Sequence, residues 1–246
     1  MPGKKPDQPR PQPEVIFSDN HLLVVNKPAG LLTQADSTGD PDLLNMMKTR
    51  VKQECDKPGN VYLGLVHRLD RPVSGVMVLA RTSKAAARLS AQFRAGTPLK
   101  KYLALVEGCA SESGTCRDFL LKDKQRIVHV VTARDPGARA AELDWRAIAS
   151  HVGVSLLDVT LKTGRAHQIR AQLAERGMPI KGDMRYGARS LFDGRNLALH
   201  CYCLEIEHPV KGMRMRWTAP PPLSWQNFFE HEIQQIIDRK ASSSLQ

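Results

Sequence analysis

The sequence has few cysteines and no long apolar run, and each shortage excludes a class of protein. Its five cysteines are an odd number without any Cys-X-X-Cys spacing. A disulfide framework is therefore not expected, and a reducing cytoplasm fits better. No apolar stretch approaches the roughly 20 residues that span a bilayer. The opening MPGKKPDQPRPQPE lacks the apolar segment of a secretory signal and predicts a disordered tail over residues 1–13.

Acidic residues are also scarce relative to basic ones. The chain has 36 Lys and Arg against 25 Asp and Glu, a net charge of +11. Residues 81–101 hold six basic residues and no acid, and residues 165–216 hold ten basic residues against five acids. Such stripes suit a phosphate backbone or an anionic membrane, and they also occur on faces that are merely solvated. Charge alone therefore leaves the partner open.

Runs of strands interrupted by isolated helices predict an α+β fold with a mixed, mostly antiparallel central sheet and flanking helices. Helices are predicted over residues 41–54, over residues 83–96 with Ser83 as N-cap, and over residues 166–177 with Ile169 and Leu173 on the buried stripe. No internal repeat or linker divides the chain. We therefore expect one domain over residues 14–240, with a second disordered tail over residues 241–246.

Metal ligands are not expected, although His200, Cys201 and Cys203 lie close together in sequence. Successive strand residues point to opposite faces, so the two thiols would share one face and His200 would point to the other. Structural zinc needs four convergent ligands. Buried free cysteines are the better interpretation.

The segment HRLDRPVSG, residues 67–75, places two cations and a carboxylate between the apolar runs YLGLV and VMVLA. Charged residues at a position where the local pattern predicts apolar ones are typical of functional sites. A carboxylate beside guanidinium groups is stabilised in its ionised form, and Asp70 could then act as a nucleophile. The alternative is a structural ion pair at the end of a strand.

A second polar cluster lies in TLKTGRAHQIRAQLA, residues 160–174. Arg165 falls at the start of a predicted helix, where the helix dipole disfavours a cation. An anion is therefore expected to face it, either an RNA phosphate or a carboxylate such as Asp70. The alternative is an arginine exposed to solvent, which costs little at this position. His167 and Arg170 are three residues apart on one helix face and could reach a phosphate.

Tyr102, in the predicted strand KKYLALVEG, has two possible roles. A strand tyrosine is most often half-buried, with its hydroxyl group hydrogen-bonded. In a nucleotide pocket the same ring can stack on a base, which contributes about 1–3 kcal/mol.

Taken together, five ordered motifs resemble those of the RluA-type RNA pseudouridine synthases. HRLDRPVSG resembles that family's catalytic HRLDxxTSG motif, and the similarity extends from about residue 14 to residue 225. The other four are the segments VVNKPAGLL, KKYLALVEG, KTGRAHQIRAQL and LALHCYCLEIEHP.

The resemblance implies a role for each matching residue. Asp70 would be the nucleophile that lets uracil detach from ribose, rotate and rejoin through C5. Arg165 would hold that carboxylate ionised, and Tyr102 would stack on the target uracil and help to remove the C5 proton. Arg68 would fill the space left by the flipped nucleotide, and Leu199 would pack on the other face of the base. The chemistry requires no metal or cofactor, and the partner would be structured RNA, either tRNA or rRNA.

Two departures from the family pattern affect this expectation. Val73 and Ala166 stand where the family usually has threonine, which removes two hydroxyl groups from the predicted site loops. Many relatives also carry an N-terminal S4 RNA-binding domain, for which the residues ahead of the first predicted strand leave no room. Substrate choice would then depend on the basic stripes of the catalytic domain.

Two other function classes make different predictions from the isomerase. A non-catalytic RNA-binding protein on the same scaffold would depend on Arg81, Lys84 and Arg88 and not on Asp70. A glycoside or nucleoside hydrolase normally needs two carboxylates in separate roles, and the sequence places only one convincingly.

Overall fold

The computed structural model describes residues 12–54, 59–194 and 196–242. Its strands are β1 (Glu14–Ser18), β2 (Leu22–Lys27), β3 (Gly64–Leu65), β4 (Ser74–Ala80), β5 (Leu99–Glu107), β6 (Ser113–Lys122), β7 (Val128–Val131), β8 (Arg139–His151), β9 (Val154–Leu161), β10 (Leu199–Glu207) and β11 (Arg214–Thr218). They form one sheet in the order β1-β2-β4-β10-β5-β9-β8-β6-β7, with β3 paired to β4 and β11 paired to β10.

The sheet is mixed and mostly antiparallel, as the sequence predicts. Its parallel strand pair is β4 with β10, in which Ser74 lies opposite His200. Strand β4 is buried along its whole length because both faces of the sheet are covered. Val76 and Val78 belong to one apolar cluster, whereas Met77 and Leu79 belong to the cluster on the opposite face. This alternation is the period of two that a pleated strand imposes.

In the described part of the chain, four α-helices cover the sheet: α1 (Leu43–Glu54), α2 (Ser83–Ala95), α3 (Gln168–Glu175) and α4 (Glu230–Ser242). The stripe on α1 is buried through Leu43, Met47 and Val51. On α2 the predicted N-cap was wrong by one residue. The side chain of Thr82, not that of Ser83, accepts a hydrogen bond from Ala85 N at 3.1 Å, because Thr82 is the last residue with extended backbone.

Helix α3 begins later than the sequence predicts. His167 has a left-handed backbone with φ of 49°, so the first helical residue is Gln168 and Arg165 lies ahead of the helix. The predicted apolar stripe is confirmed, since Ile169 and Leu173 are both buried. A short 3-10 turn, Met184–Tyr186, follows and packs near α3.

The predicted tails fall mostly outside the described residues, as does Cys55. At the C-terminal end α4 continues through Ser242, so the predicted domain boundary at residue 240 lies within that helix. None of the helices in the described ranges is both long and apolar enough to span a membrane.

The central strands bring distant sequence motifs to one level of the sheet. His200 in β10 lies opposite Ser74 in β4 on one side and opposite Leu103 in β5 on the other. The loop that precedes β4, the first residues of β10 and the tyrosine-bearing part of β5 are therefore neighbours. This convergence positions the candidate site.

Candidate active site

Asp70 lies on the loop that joins β3 to β4 and is presented outward by its apolar neighbours. Leu69 and Val73 are buried, whereas the Asp70 carboxylate between them is partly exposed to solvent. Val73 N donates to Asp70 O at 3.0 Å, and Thr33 Oγ1 donates to Leu69 O at 2.7 Å. The Asp70 side chain retains 19% of its exposure, so it is held in place and still accessible.

The buried Lys27 holds this loop from beneath. Its Nζ donates to Leu31 O at 2.7 Å, to Pro28 O at 3.0 Å and to Arg71 O at 3.3 Å. Burial lowers the pKa of Lys27 to about 7, and the nearby Arg71 acts in the same direction while Asp70 opposes it. The lysine of the VVNKPAGLL segment therefore anchors the residue that follows Asp70.

Two side chains on the α3 side approach the Asp70 carboxylate. Arg170 Nη1 donates to Asp70 Oδ2 at 3.2 Å, and His167 Nε2 lies 3.6 Å from the same oxygen. Among the described residues these contacts all reach Oδ2, which leaves Oδ1 for another partner. One oxygen of Asp70 is fixed and the other is open.

Arg170 is itself held by a second aspartate. Its Nε and Nη2 donate to Asp183 at 2.6 and 2.8 Å, and only 8% of the Arg170 side chain and 2% of the Asp183 side chain are exposed. Burial alone would lower the pKa of Arg170, but the contacts with Asp183 and Asp70 outweigh it and raise that pKa. The guanidinium is thus a fixed cation between two carboxylates.

The expected pair between Arg165 and Asp70 is corrected by the structure. Arg165 is exposed, and its Nε donates to Ala140 O of β8 at 3.0 Å. The left-handed turn at His167 places Arg165 outside α3, so its guanidinium does not follow the helix face that approaches Asp70. Arg170, five residues later and inside the helix, is the arginine that binds Asp70.

Tyr102 and Leu199 are brought to the same apolar region. Cys201 in β10 is the cross-strand partner of Tyr102, and Leu199 lies two residues earlier on the same strand face. All three are buried. Burial raises the pKa of Tyr102 well above its usual range, and the Cys201 thiol and the negative charge of Asp70 act in the same direction. Tyr102 is therefore a neutral phenol close to Asp70.

The other residues of HRLDRPVSG divide into internal and outward groups. His67 Nε2 accepts a hydrogen bond from Val78 N at 3.0 Å, and its ring stacks on Phe93 with centroids 4.5 Å apart. Arg68 is exposed beside Asp70. Ser74 Oγ lies 2.8 Å from His200 Nδ1.

His200 has a structural role in the sheet. Its Nε2 is 3.0 Å from Ala219 O, a group that only accepts, so Nε2 carries the proton and Nδ1 accepts from the Ser74 hydroxyl. Burial lowers the pKa of His200 to about 4, which matches this neutral form. Both ring nitrogens are thus used, which explains His200 without a metal.

Comparison with known proteins assigns the chain to a family. Residues 21–175 match the family model for RNA pseudouridylate synthase. The chain is 33% identical over 228 residues to ribosomal large subunit pseudouridine synthase D of Pseudomonas aeruginosa, covering 85% of this chain and 68% of that protein. It is 33% identical over 235 residues to tRNA pseudouridine synthase C of Pectobacterium carotovorum, covering 87% of this chain and 60% of that protein. The chain belongs to the RNA pseudouridylate synthase family.

The fold of this pseudouridine synthase is shared with solved structures at lower identity. Human RNA pseudouridylate synthase domain containing 4 superposes with a TM-score of 0.72 at 22% identity, covering 91% of this chain and 92% of that chain. Human RNA pseudouridylate synthase domain containing 1 superposes with a TM-score of 0.68 at 22% identity, covering 86% of this chain and 84% of that chain. Members of the family are isomerases that act on RNA, and this chain is one of them.

Several residues of the synthase site had only a weak signal in the sequence. The spacing of His167 and Arg170 predicts a shared helix face, whereas His167 precedes α3, and spacing does not distinguish Asp70 from a phosphate as their partner. Asp183 and Tyr186 come from the segment GDMRYG, which has no charge or periodicity signal that links it to Asp70. Lys27 lies within the segment VVNKPAGLL, whose sequence does not indicate that the lysine is buried under the Asp70 loop.

Proposed function

We propose that this synthase converts uridine in structured RNA to pseudouridine, with Asp70 as the nucleophile. The observation that carries the proposal is the Asp70 carboxylate itself, partly exposed and bound through Oδ2 by the buried Arg170. Such a fixed and accessible carboxylate suits attack on the electrophilic sugar carbon. Its free oxygen, Oδ1, is the atom that bonds to carbon.

The reaction balances without any external reagent. Asp70 Oδ1 bonds to C1′ of the target nucleoside, and the C1′–N1 bond breaks with its electron pair leaving on uracil. The uracil rotates within the pocket, and C5 then bonds to C1′ while Asp70 leaves. The C5 proton is lost and N1 gains a proton, so the product is an isomer of the substrate. No metal, cofactor or redox group is needed for these steps.

Tyr102 and Leu199 are proposed to hold the base while it rotates. Both side chains lie on one strand face in the apolar region near Asp70. The neutral phenol of Tyr102 suits stacking on uracil. Removal of the C5 proton by Tyr102 would require its hydroxyl to pass its own proton on, because its raised pKa disfavours the phenolate.

The target nucleotide is proposed to leave the RNA stack during the reaction. C5 and the glycosidic bond are inaccessible in a stacked helix, so the enzyme must flip the nucleotide out. Arg68 is exposed beside Asp70, where a cationic side chain can occupy the space that the flipped nucleotide leaves.

Ribosomal or transfer RNA is the proposed substrate class, because named relatives act on each. The stripe over residues 81–101 supplies less free charge than its composition indicates. Lys100 is buried, and Arg88 Nη1 donates to Pro209 O. Lys84 and Arg94 remain exposed on α2 and are the better phosphate contacts. Affinity for RNA is expected to fall steeply with salt.

Release of tritium from RNA labelled at uridine C5 tests the proposal on separate tRNA and rRNA pools. Wild-type protein is expected to release tritium from one pool in the presence of EDTA. Asp70→Asn is expected to lose at least about a thousand-fold in rate. Asp144→Asn is a matched control, because Asp144 forms a half-exposed pair with Lys162 away from the site. RNA binding without release would favour a non-catalytic binding protein, and free uracil in the products would favour a hydrolase.

A further inference from the structure

A line of hydrogen bonds runs from strand β7 to His167, which lies beside Asp70. Val128 N donates to Tyr186 Oη at 2.9 Å, and Tyr186 Oη lies 2.9 Å from His167 Nδ1. His167 Nε2 lies 3.6 Å from Asp70 Oδ2. The imidazole therefore stands between a tyrosine hydroxyl and the candidate nucleophile, with one ring nitrogen toward each.

The donors and acceptors favour one placement of the protons. A backbone N–H only donates, so Tyr186 Oη accepts from Val128 and its own proton can be donated to His167 Nδ1. Burial lowers the pKa of His167; Arg170 and Arg185 act in the same direction, while Asp70 and Asp183 oppose it. The neutral imidazole then carries its single proton on Nε2, facing Asp70. The other tautomer would point a lone pair at the carboxylate.

The backbone of His167 is also unusual. Its φ of 49° is in the left-handed region, which costs a residue with a Cβ about 1–2 kcal/mol. His167 occupies the N-cap position of α3, yet its side chain makes no capping hydrogen bond. Small polar residues would serve better there if capping were the purpose. The strained backbone instead directs the ring toward Asp70.

We propose that His167 is a positioning residue for Asp70, and that Tyr186 selects the tautomer in which Nε2–H faces Oδ2. Together with Arg170, this proton holds Oδ2 and presents Oδ1 to C1′ of the nucleoside. The inference rests on the proposed function, because it takes Asp70 as the nucleophile. It adds a second oriented donor to the site, and a tyrosine hydroxyl that acts on the reaction through His167, while the Tyr186 ring packs on Arg170 with Cζ 5.0 Å from its centroid.

The tautomer can be read without any RNA. Protein labelled with ¹⁵N-histidine shows which ring nitrogen is protonated, and the spectrum of His167→Asn identifies the His167 signals. Protonation at Nε2 with an unprotonated Nδ1 is the expected result near neutral pH. An Nδ1–H tautomer, or a doubly protonated ring, would overturn the inference.

Turnover tests the positioning role. Asn tolerates a left-handed backbone and lacks the imidazole, so His167→Asn isolates the side chain from the backbone strain. His167→Asn and Tyr186→Phe are each expected to lower kcat by roughly 10- to 100-fold, with KM for RNA within about two-fold of wild type. The double variant is expected to be no slower than His167→Asn, because Tyr186 acts through His167. The inference would be refuted if the double variant lost the product of the two single-variant factors in kcat, or if His167→Asn kept the wild-type kcat.

Two exposed substitutions serve as matched controls. Tyr62→Phe and His151→Gln remove the same groups at exposed positions without a hydrogen bond to Asp70 among the described residues, and are expected to keep wild-type kcat. Failure of the inference differs from failure of the proposed function. Wild-type activity that requires Asp70 but survives His167→Asn refutes the positioning role alone. An absence of tritium release from wild-type protein refutes the isomerase, and the ¹⁵N spectrum then decides the His167 pairing by itself.

Discussion

Arg170 binds both oxygens of the Asp183 carboxylate, at 2.6 and 2.8 Å, in a pair that is almost wholly buried. A planar guanidinium held in this bidentate manner cannot turn. Its remaining nitrogen, Nη1, is therefore fixed in direction, and it meets Asp70 at 3.2 Å. Asp183 thus sets the orientation of the group that holds the candidate nucleophile.

The first prediction separates Arg170 from Arg165. Arg170→Lys keeps a positive charge but cannot bind Asp183 bidentately and still reach Asp70. Its kcat is expected to fall about 100-fold, the loss typical of removing one oriented donor. Arg165→Lys keeps an exposed cation and is expected to change kcat less than about three-fold. Single-turnover tritium release measures the rate of the reaction, and filter binding measures the affinity for RNA.

Arg165→Ala extends that comparison. Because the Arg165 guanidinium is exposed and contacts only a backbone oxygen among the described residues, its removal is expected to weaken RNA binding more than turnover. A large loss of kcat with intact binding would restore the role that the family resemblance implies for it.

The second prediction concerns Gly75 in HRLDRPVSG. Its φ is +129°, and an added Cβ would lie 2.3–2.7 Å from backbone atoms of Cys201. Gly75→Ala is expected to lower the free energy of unfolding by at least about 3 kcal/mol, since it must adopt a glycine backbone and push β4 from β10. Gly153→Ala is the control, because its φ is +73° with nothing within 4 Å. It should cost about 1–2 kcal/mol in urea denaturation.

The third prediction is that the folded protein loses stability as the pH falls. Burial lowers the pKa of His67 to about 3 and that of His200 to about 4. Unfolded histidine has a pKa near 6.5. Between about pH 6.5 and pH 4 the unfolded chain therefore binds protons that the folded protein does not. The free energy of unfolding should fall with decreasing pH by about 1.4 kcal/mol per unit for each histidine.

Urea denaturation across that pH range checks the slope and its origin. His67→Gln keeps an oxygen that can accept from Val78 N, and it should reduce the slope by about 1.4 kcal/mol per pH unit. His129→Gln removes a half-exposed ring and should leave the slope unchanged. A slope that persists in full in His67→Gln would assign the acid sensitivity to other groups.

The fourth prediction concerns Lys27 under the Asp70 loop. Lys27→Met leaves the carbonyl oxygens of Pro28 and Leu31 without their donor, whereas Arg71 O keeps its hydrogen bond from Gly30 N at 2.8 Å. Each unpaired group costs about 1–3 kcal/mol, so a loss of at least about 2 kcal/mol in unfolding free energy is expected. The folded variant should also lose kcat, because the carbonyl of Arg71, next to Asp70, loses one of its two donors. Lys162→Met removes an exposed ion pair and should cost less than about 1 kcal/mol.

The sequence by itself determined the family, the α+β class and most elements of this protein. Those features are local or nearly so: a continuous apolar run in β4, a period of 3.6 in α1, and motifs that keep their order along the chain. The sequence also singled out Asp70, because charged residues interrupt two apolar runs there.

Only the tertiary structure decided which arginine serves Asp70. The choice depends on one backbone angle at His167, which ends the loop and turns Arg170 rather than Arg165 toward the carboxylate. It depends also on Asp183 and Tyr186, which follow α3 in the chain and contact its side chains through tertiary packing. Spacing along a sequence fixes which residues share a helix face. What that face meets is set by how the helix packs against the rest of the fold.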